Sequence, residues 1–588
     1  MRGSLWAIDP YYLHDQVIHR NLQVQEQLGI TFHANGGPEL GSTIYALSTA
    51  PGRAGIAVIR ISGPGARSVY NGLSPGKTIP QPRYAAVRTL YEPHGAPSRQ
   101  NMLDSNALVL FFPGPRSVTG EDVLELHVHG GPAIVKAVLS AIPKCSGKTG
   151  SIRYAEAGEF SRRAFFNDRM DLTQVEALGD SLSAVTEQQR RLSVRGTISN
   201  LTKRYESWRQ LLLSARGELE ALIDFSEDQH FDESPAELIA SVAQQVLELQ
   251  QSLQAHTRNA VRGELLRNGI SISLLGAPNA GKSSLLNRIV GREAAIVSPE
   301  AGTTRDVVEV SVDIGGFLCR FGDTAGLRRA LNLPTEDKSE VRGQDIGIVE
   351  QEGIRRAKAR AAESDMVIVV LSIEADSSSP ALKLDEEVLD TARTLFGEGR
   401  SVLIVVNKID QKPPELPTGK ITEAIQAAIP GLQSEDIHLL SCRPNTTPQA
   451  NTPFPGDGIS SFLSGLVTTF HAMTRAVSAS DTDASIWQES LGATERQRLL
   501  LEECDEHLTL FLEVGGHAVS GSGHRNESHV DQDTEHTFAE EGGEVDFVLA
   551  AEHLRNAAGC LARITGKGEQ GDVEEVLGVV FERFCVGK

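Results

Sequence analysis

The chain has 588 residues, enough by length for roughly three or four domains. Its composition, 40% hydrophobic and 23% charged, is that of an ordinary globular protein, and no apolar run approaches the roughly 18 residues that cross a bilayer. A net charge of -21, from 77 acidic and 56 basic residues, argues against tight, purely electrostatic nucleic-acid binding by the chain as a whole.

Residues 1–41 read as an irregular N-terminal extension. Asp9, Asp15, Glu26 and Glu39 set it apart from an acid-poor transit peptide, and it has no apolar stretch of signal-peptide type. From 42 to 167, short apolar runs bounded by Gly and Pro predict a small α+β domain: Ile44–Leu47, Ile56–Ile61, Ala107–Phe112 and Val123–Val128. From 168 to 265 the texture turns helical, with Leu212, Ala215, Leu219, Leu222 and Ile223 on one face. Residues 266–466 alternate strands and helices from Ile270–Leu275 onward, the pattern of a parallel α/β domain.

Helices return over 467–588. Phe547, Ala551, Leu554, Ala558 and Leu561 form an apolar seam, and Gly566 supplies a stop. Asp572 with Glu575 resembles a capping box for one more helix. Inside this tail, residues 516–543 carry His517, His524, His529 and His536 amid Gly, Ser and acidic residues, and read as a solvated loop insertion rather than a metal site. The two helical stretches each present a face that needs a partner. The economical reading is one discontinuous helical domain, interrupted by the inserted α/β domain. Six scattered cysteines without a CxxC pair fit a reducing compartment.

Gly276-Ala277-Pro278-Asn279-Ala280-Gly281-Lys282-Ser283 matches the phosphate-cradling loop G-x-x-x-x-G-K-[ST], with a strand expected before it and a helix, from Ser284, after it. Backbone N–H groups at such a helix start wrap phosphates, Lys282 neutralises the β and γ oxygens, and Ser283 ligates Mg²⁺. Asp323-Thr324-Ala325-Gly326 supplies the second magnesium-side contact and the γ-phosphate sensor. Thr304 completes the metal shell. Asn407-Lys408-Ile409-Asp410 follows the run Val402–Val406, and the Asp410 carboxylate can accept both N1 and N2 protons of guanine, which adenine cannot offer. Ser441-Cys442-Arg443 stands where a backbone N–H meets guanine O6. The motifs together predict a GTP-hydrolysing switch.

Further segments give the chain a resemblance to the MnmE/TrmE family of tRNA-modifying GTPases. They are Ala50-Pro51-Gly52-Arg53-Ala54-Gly55 with the strand after it, Thr119-Gly120-Glu121-Asp122, His129-Gly130-Gly131-Pro132, Gly158-Glu159-Phe160-Ser161-Arg162-Arg163, and Phe584-Cys585-Val586-Gly587-Lys588 at the end. The resemblance runs from Thr43 to Lys588. It implies a folate-binding α+β domain that dimerises, a discontinuous helical domain and an inserted P-loop GTPase domain of Ras-like parallel-sheet type. It also implies an FAD-dependent partner and a folate one-carbon unit, from 5-formyl- or methylene-tetrahydrofolate, used on the tRNA wobble uridine. On the same resemblance Arg60, Glu125, Arg169 and Lys588 contact the folate, with Arg169 standing where a lysine is usual, and Cys585 lies near the one-carbon site. Asn279 with Ser298, Glu300 and Thr303 holds K⁺, and Glu350 orients the attacking water. Residues 330–347 are an extra polar segment ahead of Glu350.

Two other readings remain at this level. A ribosome-assembly type GTPase predicts a basic RNA-binding module after the nucleotide domain, whereas this tail is acidic. A folate-binding scaffold without chemistry of its own is the second. The insertions and the N-terminal extension suggest a mitochondrial-type member, with the cytoplasm as the alternative.

Overall fold

A computed structural model describes residues 41–145, 151–198, 200–225, 235–292, 294–296, 310–322, 355, 358–375, 380–412, 416–443, 458–477, 484–520, 546–567, 584 and 587. The chain divides into two compact units, Met1–Gly179 with Thr565–Lys588, and Asp180–Ile564.

In the first unit the described strands are β1 (Thr43–Leu47), β2 (Ile56–Ser62), β3 (Ala86–Tyr91), β4 (Met102–Phe112), β5 (Val123–His129) and β6 (Ile152–Tyr154). They pair in the order β3-β4-β5-β2-β1-β6, antiparallel except for β1 with β6. Alternation sends Ala57, Ile59 and Ile61 of β2 into the core, against Val69, Tyr70 and Leu73 of α1 (Ala66–Leu73) and Val135 and Val138 of α2 (Pro132–Ala141).

A buried charge network fastens α3 (Glu159–Phe166) to this sheet. Arg163 donates to both Glu121 oxygens at 3.0 Å, to Ser42 O at 2.8 Å and to Glu159 Oε1 at 3.1 Å. Arg153 donates to Glu159 at 2.6 and 2.8 Å. Burial pushes the Glu159 pKa up, but these donors and charges overcome it and hold the carboxyl below its ordinary range. Removing one partner would strand a buried charge, at about 3–5 kcal/mol. The segments around Glu121 and Glu159 that carry the family resemblance are therefore structural.

After α4 (Leu172–Ser183), Phe584 packs on Leu172 and Val175. Gly587 O accepts from Ser48 Oγ at 2.9 Å. A Cβ at Gly587 would meet Leu47 O at 2.3 Å, so a glycine is required there.

The second unit holds three cores, a helical one and one on each face of the α/β sheet. The helical one is built by α6 (Leu201–Phe225) and α7 (Pro235–Asn268), which follow α5 (Glu187–Ile198), and by late elements of the chain. Leu212, Ala215 and Leu219 of α6 and Val242 and Val246 of α7 join residues from beyond the α/β region in one core. The discontinuous helical arrangement expected from the two apolar faces is thus observed.

Between the helical stretches lie β7 (Ile270–Leu275), α8 (Lys282–Arg292), β8 (Ala294–Ile296), β9 (Val310–Ile314), β10 (Phe317–Phe321), β11 (Met366–Ala375), β12 (Pro380–Lys383), α9 (Glu386–Gly397), β13 (Ser401–Asn407), α10 (Thr418–Ala428), β14 (Ile437–Leu439) and α11 (Ile459–Met473). The sheet order is β14-β13-β11-β7-β10-β9-β8, with β12 beside β11. The strands from β14 to β10 run parallel. The central strands β11 and β13 carry near-continuous apolar sequences, such as Val402 to Val406, buried on both faces.

The last described helices are α12 (Ala484–Ser490), α13 (Glu495–Ser520) and α14 (Phe547–Thr565); the helix expected after Asp572 lies outside the described residues. From these, Leu501, Leu508, Phe511, Leu554 and Leu561 complete the helical core. Gly566 follows with φ +76°, the expected stop. α13 continues through Ser520, past Gly516, where the composition suggested the start of a loop. No proline intervenes there, and a glycine costs a helix only about 1 kcal/mol.

His256 of α7 is fully buried, with Nε2 2.9 Å from the Tyr205 hydroxyl. Burial, and after it the charge of Arg204, pushes its pKa down to about 3. The folded unit therefore keeps this ring neutral, while the unfolded chain takes up a proton below its ordinary value of about 6.5. That contribution to stability is complete above pH 6.5 and is lost progressively as pH falls toward 3. Thermal unfolding should lose about 2 kcal/mol more between pH 7 and pH 5 in the native chain than in His256→Gln. Equal losses in the two proteins would remove His256 as the cause.

Candidate nucleotide site

In the parallel part of a sheet, ligands bind beyond the carboxyl ends of the strands. Three of the predicted motifs stand there, after β7, β13 and β14. The loop from Gly276 to Gly281 leaves β7 and enters α8 at Lys282. Asn279 and Gly281 both take positive φ, +61° and +104°, which curls the backbone into the kind of N–H concavity that binds anions. Leu285 N bonds back to Gly281 O at 2.8 Å, starting the helix directly behind the loop.

Sterics set both glycines. A Cβ at Gly276 would meet Val370 O at 2.4 Å, and one at Gly281 would meet Asn407 Nδ2 at 2.0 Å. The Lys282 ammonium donates to Gly276 O at 2.6 Å and Ala277 O at 2.9 Å, and burial pulls its pKa down from the ordinary lysine value. Ser283 begins α8 beside it and offers a hard oxygen of the type Mg²⁺ takes. Ser284 follows in the first turn.

Asn407, at the end of β13, is buried and joins two neighbouring loops. Its Nδ2 donates to Ala280 O at 2.9 Å, and its Oδ1 accepts from Cys442 N at 3.2 Å. Lys408 takes a left-handed φ of +61°, which ends the strand abruptly, and its ammonium lies 3.9 Å from Glu374 Oε1. Asp410 accepts from Ser441 Oγ at 2.7 Å through one oxygen and from Arg443 Nη1 at 3.2 Å through the other. The first bond orients the carboxylate. The second joins it to a side chain that is 73% exposed, an ion pair cheap to exchange for a base edge.

Among the groups offered to guanine O6, Cys442 N bonds Asn407 and Arg443 N bonds Ser441 Oγ at 3.3 Å. Both bonds are long, so sharing one proton with a base costs little. Sequence reasoning did not foresee that Asn407, Asp410, Ser441 and Arg443 form one network, because motifs name positions and not their mutual contacts. Thr304, Asp323, Thr324, Ala325, Gly326, Glu350 and the potassium positions Ser298, Glu300 and Thr303 lie outside the described residues.

A second site lies in the first unit. Arg60 of β2 faces Glu125 of β5 in register, with Nε donating at 3.0 Å and Nη2 2.9 Å away. Arg169 donates from Nε to Ser117 O at 3.0 Å. Arg60, Glu125 and Arg169, predicted from separate parts of the sequence, line one cavity of about 490 Å³. Arg83, Arg116, Phe112, Val118 and Val123 line it too. Arg83 and Arg116 escaped the sequence reading because both sit in loops, where no periodicity marks them. Four guanidiniums, one carboxylate and an apolar wall suit an anionic ligand with a flat polar ring. Cys585 and Lys588 lie outside the described residues, whereas Phe584 and Gly587 beside them are anchored in this unit.

The parallel sheet, the phosphate loop and the Asn407-to-Asp410 motif held beside Ser441 together define a P-loop GTPase. A family model described as the GTP-binding protein TrmE N-terminus matches residues 43–169, and one described as the MnmE helical domain matches residues 172–585. The mitochondrial tRNA modification GTPase mss1 of Schizosaccharomyces pombe is 37% identical over 549 residues, 93% of this chain and 95% of that protein. A mitochondrial 5-taurinomethyluridine tRNA synthase subunit of Homo sapiens is 37% identical over 563 residues, 95% of this chain and 96% of its own length. The tRNA modification GTPase MnmE of Parvibaculum lavamentivorans is 38% identical over 550 residues, covering 93% of this chain and all of that one. The chain belongs to the MnmE/TrmE family of tRNA modification GTPases.

An amide at position 410 could accept from N1–H but would turn its NH₂ against the guanine amino group. Asp410→Asn should therefore weaken GTP binding by about 100-fold, the scale of one lost charged hydrogen bond plus one clash. It should in turn favour xanthosine triphosphate, whose C2 oxygen accepts from that NH₂. Unchanged GTP affinity in a nucleotide titration would displace Asp410 from the base-reading role.

Proposed function

We propose that the chain works as a homodimer in a K⁺-dependent GTPase cycle. With an FAD-dependent partner it places an aminomethyl-type group on C5 of the tRNA wobble uridine, drawing on a folate one-carbon unit. We place this activity in mitochondria, as for the mitochondrial relatives of fission yeast and human.

The observation that carries the folate reading is the meeting of Arg60, Glu125 and Arg169 on one pocket. The arginines match folate carboxylates, Glu125 can accept from pterin N–H groups, and Phe112, Val118 and Val123 offer the ring an apolar wall. In this reading Lys588 adds a cation to the same site and Cys585 lies near the one-carbon unit.

On the nucleotide side, Lys282 neutralises phosphate charge and Glu350 orients the attacking water. Ser283 and Thr304 hold Mg²⁺. Asn279, Ser298, Glu300 and Thr303 hold K⁺, which when bound supplies positive charge at the transferred phosphate. The left-handed backbone at Asn279 supports its part in that role, since it sets this side chain at the rim of a phosphate loop.

GTP turnover by the purified chain should be at least about tenfold faster in potassium than in equimolar sodium buffer, roughly 1.4 kcal/mol of barrier. Equal, slow turnover in both salts would leave a GTPase without this cation mechanism. For the folate reading, Arg60→Ala should weaken binding of 5-formyl-tetrahydrofolate by about 10- to 100-fold, the range of a charge-assisted hydrogen bond. Calorimetric titration giving native affinity in that variant would remove the pocket from folate binding.

A further inference from the structure

Away from both sites, a cluster of metal-ligating side chains lies between α13 and α14. Glu503 and His507 are one turn apart on α13 and share a face. His553 and Cys560, seven residues apart on α14, also share one. One ligand atom from each of Glu503, His507 and Cys560 lies within 4.8 Å of the other two. The His553 ring stands beside them, 5.9 Å from that of His507 between centroids.

These groups are incompletely satisfied by the protein itself. Nδ1 of His507 and Nδ1 of His553 are closed off from solvent and have no hydrogen-bond partner among the described residues. Such a buried, unpaired nitrogen costs about 1–3 kcal/mol, which an ordered water or a bound ion would recover. Cys560 is buried, with its sulfur within 4.8 Å of a Glu503 oxygen. Arg563 lies 3.2 Å from the same carboxylate, in a pair with both side chains near half exposure. Its Nη1 donates to both carboxylate oxygens, at 3.3 and 3.2 Å, so coordination replaces one of these exposed contacts, which hold little energy.

We propose that Glu503, His507 and Cys560, with His553 as the fourth donor, bind one zinc ion that clamps α13 to α14. A thiolate, two imidazoles and a carboxylate form a donor set for a borderline-soft cation, unlike the oxygen sets of Mg²⁺ and Ca²⁺. Bonds of about 2.0–2.3 Å place tetrahedral donors roughly 3.5 Å apart, so side-chain rotation closes the spacing of Glu503, His507 and Cys560, and His553, outside that group, turns in as the fourth. On binding, the Cys560 S–H bond breaks, its proton leaves to solvent and the sulfur pair forms the bond to the metal. The thiolate and the Glu503 carboxylate then balance the ion's two charges. The clamp joins the two helices that bracket residues 521–545.

The test uses the full chain, stripped with a chelator and titrated with Zn²⁺ against a chromophoric competitor, and with Co²⁺ as a spectroscopic probe. The expected result is one ion per chain, tetrahedral cobalt bands with a thiolate charge-transfer band, and a melting temperature raised by Zn²⁺ and lowered again by chelator. Cys560→Ser should abolish the charge-transfer band. It and His507→Gln should each weaken Zn²⁺ by at least about 100-fold, beyond the cost of losing an outer partner. Circular dichroism checks each fold, and His507→Gln decides the matter if the core substitution at Cys560 disturbs folding. Less than one ion per chain, or an affinity that neither folded variant changes, overturns the site.

Discussion

The buried amide of Asn407 holds three loops of the candidate nucleotide site at once, and the mutual position of their polar groups follows from it. Its nitrogen donates to the phosphate loop at Ala280 and its oxygen accepts from the Cys442 loop, while its own backbone ends β13 and leads to Asp410. A planar amide supplies one donor group and one acceptor in fixed geometry; a carboxylate would lack the donor. The same contact dictates a glycine far away in sequence, because any side chain at Gly281 would strike Asn407. Phosphate loop and base-reading loop are therefore set in one step, as parts of a fully satisfied buried network.

The first unit works by a different balance. Its charges are divided between a buried group, where Arg153, Arg163, Glu121 and Glu159 satisfy one another, and an open pocket where four arginines face a single carboxylate. The buried group fixes α3 against the sheet. Because Arg169 follows that helix within a few residues, its placement on the pocket rests on the same anchoring. The pocket keeps an excess of positive charge that an anionic ligand can neutralise. Segments that look equally characteristic in the sequence thus separate into those that hold the fold and those that face a ligand.

The helical part depends on apolar burial, with two exceptions that carry consequences. Tyr205, His256 and Gln497 form a polar group inside the core, and His507, His553, Cys560 and Glu503 form another near its edge. The first is held by its own hydrogen bonds and a neutral ring. Each leaves a buried ring nitrogen without a partner among the described residues; what distinguishes the second is a carboxylate and a thiol within 4.8 Å of a His507 ring nitrogen.

Much of this was legible in the sequence. The strands β7 and β13 lie where apolar runs placed them, and in β13, buried on both faces, no polar residue interrupts Val402 to Val406. The helical halves announced themselves by one-sided apolar faces, and Gly566 by the backbone freedom a helix stop needs. The phosphate and guanine motifs were readable because their chemistry tolerates few residue types at fixed spacing. Local pattern did not give the end of α13, where helix continues through glycines that composition marked as loop. Nor did it give Arg83 and Arg116, the coupling of Arg443 to Asp410, or the meeting of Glu503 with Cys560. Sequence determines what each short segment can form, since propensity, periodicity and turn chemistry act over a few residues. Which distant side chains share a cavity or a hydrogen bond was decided only by strand register and helix packing, where a rotation of one element exchanges one set of neighbours for another.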